Sequence, residues 1–184
     1  MSKSDIETLV HAIKTHWPNA PGEKVRKYMG QFFNVTRLGT RIAGQVVGNH
    51  GTYTVSIQSD GQGVSSACSC YIGKHGYCHH CHALALTFLD DPQVFVELKT
   101  RPLHEVQQLS DLEEYLRSVT LESLLDELMA KGMTQKAFAE AIGMNSRHLS
   151  SVKSSERRNR YYNELGAIKL ACLWVLEHFQ QNAQ

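Results

Sequence analysis

The chain has 184 residues, 42% of them hydrophobic and 20% charged, with a formal net charge of +1. That balance excludes a disordered chain or a polyelectrolyte and leaves room for one ordinary domain or two small ones. The longest apolar stretches fall far short of the roughly 20 residues a membrane helix needs, and the N-terminus lacks a basic-then-apolar signal, so a soluble, cytoplasmic protein with no membrane partner is expected.

Ser4-Asp5-Ile6-Glu7 has the spacing of a capping box and predicts a helix whose apolar side is Ile6, Leu9, Val10, Ile13 and Trp17. Pro18 and Asn19-Ala20-Pro21-Gly22 end it, and a second short helix is expected over about residues 23–32. From residue 40 the period changes to two. Ile42, Gly44 and Val46 alternate with polar neighbours, as do Tyr53, Val55 and Ile57, with the turn Gly48-Asn49-His50-Gly51 between them. Asp60-Gly61-Gln62-Gly63 marks a second turn, and residues 64–67 begin a third strand. The expectation is a three-stranded antiparallel meander that delivers Cys68 at its end. From Cys78 the helical period returns, with Cys81, Leu84, Ala85, Phe88 and Leu89 on one face, and it ends near Asp90-Asp91-Pro92. Residues 93–108 read as a connector with a short helix. Ser110-Asp111-Leu112-Glu113 forms another capping-box pattern and opens a helical half. There Leu121, Leu124, Leu125, Leu128 and Met129 make one stripe, and Leu165, Ile168, Cys172, Val175, Leu176 and Phe179 make the stripe of a last helix over about 163–180. The expected fold class is α+β, with a small antiparallel sheet plus helix in residues 1–104 and an all-α domain in residues 105–184.

Four of the five cysteines (68, 70, 78 and 81) fall within fourteen residues, which in a reducing compartment points to metal rather than disulfides. The pattern is Cys68-x-Cys70, seven residues, then Cys78-x-His80. Thiolates and imidazole are the ligands zinc prefers, and a tetrahedral ion needs four. The first pair comes at a strand end. The second comes at a helix start, where the dipole favours thiolate. Cys81 rivals His80 for the fourth position, and His79 and His82 are weaker rivals. The arrangement resembles the SWIM zinc finger over about residues 28–95, including the run Tyr77-Cys78-His79-His80-Cys81-His82-Ala83-Leu84 that enters the helix. The resemblance implies that Cys68, Cys70, Cys78 and His80 bind Zn²⁺, that a small sheet packs on one helix, and that the module binds DNA or protein. A catalytic zinc keeps an open position beside an acid or base. Here four ligands are at hand, and the nearest acids, Asp90 and Asp91, lie at the far end of the helix. With no Ser/His/Asp triad and no phosphate loop, an enzyme is not expected.

Between Lys131 and Arg160 seven Lys and Arg stand against two acids, Glu140 and Glu156. On a nearly neutral chain this is a candidate phosphate footprint, the bland alternative being a solvated face. The same stretch has Thr134 as a helix N-cap, a small Ala139 where two helices would cross, and Gly143 at a turn. Ile142, Leu149 and Val152 face inward. It resembles the helix-turn-helix of phage-repressor and Cro-like regulators over about residues 121–180. The resemblance implies that Asn145–Lys153 is a recognition helix, with Asn145, Ser146, Arg147, Ser150 and Ser151 turned to the major groove and Gln135 on a phosphate or an end base. Lys153, Arg157, Arg158 and Arg160, with Tyr161 and Tyr162, would follow as phosphate contacts. Residues 154–159 depart from that pattern as a polar loop. The expected function is a double-stranded-DNA-binding regulator of transcription, compatible with a homodimer on a palindromic site. Leu165–Phe179 is then a dimer surface or core. The alternative is an adaptor that docks on a recombination or transposition protein, or another partner, through the zinc module.

Overall fold

The computed structural model describes residues 3–73, 78–99, 105–160 and 164–178. The chain divides into two compact units, Met1–Leu98 and Lys99–Gln184. A five-stranded sheet with helices is followed by helices alone, an α+β arrangement.

The first unit runs α1 (Lys3–His16), α2 (Glu23–Arg26), β1 (Phe33–Leu38), β2 (Arg41–Gly48), β3 (Gly51–Ser59), β4 (Val64–Cys68), α3 (His79–Asp90) and β5 (Val96–Glu97). The sheet order is β4-β3-β2-β1-β5, with β5 parallel to β1 and all other pairs antiparallel. The three expected strands are therefore joined by two more. β1 escaped the alternation test because its register shifts between Phe33 and Thr36 and Asn34 takes a φ of 50°, so its apolar residues do not alternate. β5 is two residues long, too short to carry a period. The second helix is a single turn instead of ten residues. The Ser4 side chain of the first capping box lies outside the described residues.

Ile42, Val46, Val55 and Ile57 line the inner face of the sheet and are fully buried. Such burial contributes about 1.5–3 kcal/mol per side chain. The helix α3 crosses this face at Gly44, where a Cβ would come 2.9 Å from Val35 Cγ1 and 3.3 Å from Leu84 Cδ1. Leu9 and Ile13 of α1 complete the core together with Cys81, Ala83, Leu84 and Phe88 of α3. The Thr87 hydroxyl donates to Ala83 O at 2.8 Å and accepts from Gly30 N–H at 3.0 Å. It thus ties α3 to the segment after α2. These contacts fix the position of the α3 N-terminus, on which the site below depends.

The second unit holds α4 (Leu109–Ser118), α5 (Leu121–Ala130), α6 (Gln135–Ala141), α7 (Ser146–Arg157) and α8 (Leu165–His178). Leu121, Leu124, Leu125, Leu128, Phe138, Leu149, Val152, Ile168 and Cys172 form its core. Burial pushes the Cys172 thiol up to about 12, as expected of a core thiol without a partner charge. The capping box expected at Ser110 is not formed, because α4 begins one residue earlier with Gln108 as its N-cap. A capping box does form at Thr120, whose hydroxyl accepts from Ser123 N–H at 3.1 Å while Ser123 Oγ accepts from Thr120 N–H at 3.3 Å. Thr134 caps α6 by accepting from Ala137 N–H at 3.2 Å.

The turn from α6 to α7 uses Gly143 at φ 69°, with Gly143 N–H donating to Glu140 O and Met144 N–H to Ala139 O. This is a Schellman ending, which needs a left-handed residue. Residues 154–157, expected as a polar loop, are helical. α7 runs to Arg157 and closes with the same motif, Asn159 taking φ 54° and Arg160 N–H donating to Ser155 O at 2.8 Å. The extension has a non-local cause. Glu156 Oε2 accepts from Leu121 N–H at 2.7 Å, and Glu156 Oε1 lies 2.6 Å from Lys169 Nζ. Lys169 also donates to Leu116 O at 2.8 Å and Val119 O at 2.7 Å, so all three of its protons are engaged although the side chain is almost fully buried.

Candidate metal centre

β4 ends at Cys68, and the chain turns at once. Ser69 prolongs the contact with β3, its N–H donating to Thr54 O at 3.0 Å and its Oγ accepting from Thr54 N–H at 3.0 Å. This brings Cys70 back beside Cys68. Cys78 is the N-cap of α3, and His80 is the second residue of that helix. The ligand atoms of Cys68, Cys70, Cys78 and His80 all lie within 4.8 Å of one another, and all four residues are buried. His80 Nδ1 is 3.7 Å from both Cys68 Sγ and Cys78 Sγ. Zinc bonds of about 2.0–2.3 Å imply tetrahedral edges of about 3.4–3.8 Å. The two contacts of His80 have that length and the whole group lies within 4.8 Å, so the quartet could hold a metal ion.

The loop after Cys70 supports the sulfurs with backbone amides. Gly73 N–H donates to Cys70 Sγ at 3.1 Å, and Cys70 N–H reaches Cys68 Sγ at 3.5 Å. Gly73 is pressed against the first ligand. A Cβ there would lie 2.4 Å from Cys68 O and 2.6 Å from Cys68 Cβ. The spacing of the cysteines alone does not reveal this contact. Its signal is the glycine three residues after the second cysteine.

The thiols are electrostatically coupled. Hydrogen bonds from Cys68 and Cys81 hold the Cys78 thiol far below its ordinary range. The same contacts, then burial, push Cys68 and Cys81 above theirs, and burial raises Cys70. Several buried thiolates at this spacing repel one another, and a bound cation removes that penalty.

Cys81 Sγ lies 3.7 Å from Cys78 Sγ but outside the group of four, on the fully buried side of α3. The other rivals have different partners. His79 stacks on Tyr28 at 5.4 Å, and His82 stacks on Trp17 at 5.5 Å with an interplanar angle of 9°. Burial lowers the pKa of both imidazoles, His80 adding to the effect at His79 and His16 at His82.

The residues expected to face DNA are placed on α6, on α7, in the turn between them and directly after α7. Asn145 is not on the helix but caps it, its Oδ1 accepting from Arg147 N–H at 2.8 Å, so its amide is engaged with backbone. Gln135 Nε2 donates to Ser150 Oγ at 2.9 Å and joins the start of α6 to α7. The Ser150 and Ser151 hydroxyls donate back to Ser146 O and Arg147 O, each at 3.0 Å. Arg147, Arg158 and Arg160 are exposed and Lys153 is half-buried, none with an ion pair among the described residues. Arg157 instead pairs with Glu122 of α5 at 3.3 Å. Tyr161 and Tyr162 lie outside the described residues. Glu156 and Lys169 were missed as a pair. The legible signal was a lysine inside the apolar stripe of α8.

No protein-family model matches the chain, and neither a curated protein nor a solved structure matches it. Among the described residues, no helix is long and apolar enough to cross a membrane.

Proposed function

We propose that Cys68, Cys70, Cys78 and His80 hold one structural zinc ion in a SWIM-type module. On this reading α6 and α7 form a helix-turn-helix that binds duplex DNA, and the chain regulates transcription. The observation that carries the metal assignment is the buried quartet whose ligand atoms lie within 4.8 Å of one another. Three sulfurs and one imidazole suit zinc over harder ions. Four protein ligands leave no open coordination position, so on this reading the centre is structural and carries no catalysis. When bound, the ion supplies folding free energy by crosslinking the end of β4 to the start of α3.

The DNA assignment rests on the Schellman turn at Gly143 and on what α7 leaves at its surface. Ser150, Ser151 and Arg147 are exposed near its start, and Arg158 and Arg160 follow its end. Arg147 is the side chain suited to guanine edges, while Lys153, Arg158 and Arg160 suit phosphates. Arg157 and Asn145 are left out of the interface, since one is paired and the other is a cap. Selection from a random duplex library at two salt concentrations tests this. The expected result is an enriched sequence whose affinity falls with salt at a log–log slope of about −2.7 per bound unit, from three phosphate contacts. Zinc-loaded protein that enriches no duplex overturns the regulator reading and leaves the adaptor.

A further inference from the structure

A recess of about 330 Å³ opens against Cys70 and His80. This is the lower end of the range for small-ligand sites, enough for one flat ring system. Tyr28, Tyr53, Tyr71, Ile72 and His79 make most of its wall, and none of its lining residues is acidic. The aromatic groups are already organised. Tyr28 stacks with His79 at 5.4 Å, and Tyr28 and Tyr53 lie 4.6 Å and 5.1 Å from the His80 ring. At the lip, Tyr71 is 77% exposed and Ile72 is 54% exposed. These two large side chains directly follow a buried cysteine and border a concave apolar surface.

Two further observations say what fits there. Lys27 Nζ stands 5.3 Å over the Tyr28 ring, and Lys24 is one turn away on the same exposed side of the segment. Positive charge thus stands beside Tyr28, one of the aromatic residues of the wall. In addition, Nε2 of His80 is buried without a hydrogen-bond partner among the described residues. Nδ1 is turned to the sulfurs, and a polar ring edge that reached Nε2 would give this buried nitrogen a partner.

We infer that this recess takes one unstacked base of a single-stranded nucleic acid, with the flanking phosphates on Lys24 and Lys27. Aromatic platforms beside basic groups bind bases in this way, and a duplex cannot offer the face of a base because its bases are stacked on each other. The site belongs to the first unit and does not depend on the duplex-binding reading of the second.

The test is fluorescence anisotropy of a labelled oligothymidylate of about fifteen nucleotides, within the span such sites cover. The protein is the full zinc-loaded chain, measured at two salt concentrations with a duplex control in parallel. Tyr71→Ala, at a largely exposed position, is expected to weaken oligothymidylate binding about 10- to 100-fold, the usual loss for one stacked base. Lys24→Glu/Lys27→Glu is expected to weaken it and to flatten the salt slope by about 1.4, roughly 0.7 for each phosphate contact removed. Arg147→Ala/Arg158→Ala should reduce duplex binding and leave oligothymidylate binding unchanged. Zinc content, measured for every variant, reports that the module is intact. The proposal is overturned if the native chain binds duplex but not oligothymidylate, or if the Tyr71 and lysine variants bind it like the native chain. It is also overturned if free thymidine monophosphate competes as well as the strand, which would assign the recess to a small molecule.

Discussion

The two units solve one problem by different means. In the first, a twelve-residue helix must be held over a sheet whose strands arrive from distant parts of the chain, and the strongest candidate tie is a cluster of four polar ligands at one corner. In the second, five helices close around leucines and one phenylalanine, and the buried polar contact is an ion pair that fastens α7 to α8 and to the junction of α4 and α5. On the proposed reading, the first unit adds to its apolar core one centre whose contribution depends on an ion. The second rests on apolar packing and carries its polar link within the chain. The difference teaches where each unit is vulnerable.

The largest expected effect breaks the first unit alone. Stripping metal with a strong chelator, or replacing Cys68 with Ala, removes a crosslink worth on the order of 10 kcal/mol in small zinc modules. Amide spectra should show the resonances of β2, β3 and α3 collapsing while those of α5 to α8 keep their dispersion. The next effect breaks the second unit alone. Lys169→Met leaves Glu156 buried without its partner and should cost about 3–5 kcal/mol by denaturant unfolding. Adding Glu156→Leu should recover most of that loss, because a buried pair replaced as a whole is close to neutral.

A finer probe of the first unit is Gly73→Ala. It drives a methyl into the Cys68 carbonyl and should cost about 1–3 kcal/mol of strain, read as a 10- to 100-fold loss of metal affinity. The smallest is Thr134→Ala in the second unit. Loss of its cap on Ala137 N–H should lower stability by about 1 kcal/mol and leave metal content unchanged.

The candidate centre was legible in the sequence because its chemistry lies in residue identity and short spacing. Cys68, Cys70, Cys78 and His80 fall within thirteen positions, and the strand before them and the helix after them follow from local periodicity. What was not legible depends on partners far away in the chain. Residues 154–157 look like a polar loop until Lys169 and the amide of Leu121 give Glu156 a place to bond. β1 is masked by its own bulge, and β5 exists only as a neighbour of β1. Helix caps failed in both directions. The Ser110 pattern matched a rule but lay inside the helix, while Thr120 and Ser123 formed a box with a serine in place of the usual acid. Asn145 caps α7 through its Oδ1, a role its place just before the helix made legible but which was not read there.

The most direct measurement is metal stoichiometry by mass spectrometry on four purified chains: native, Cys68→Ala, His80→Ala and Cys81→Ala. The account predicts zinc at one equivalent in the native chain and in Cys81→Ala, with strong depletion in Cys68→Ala and His80→Ala. Zinc lost from Cys81→Ala but kept in His80→Ala would replace the fourth ligand, and a native chain that binds no metal would contradict the account outright.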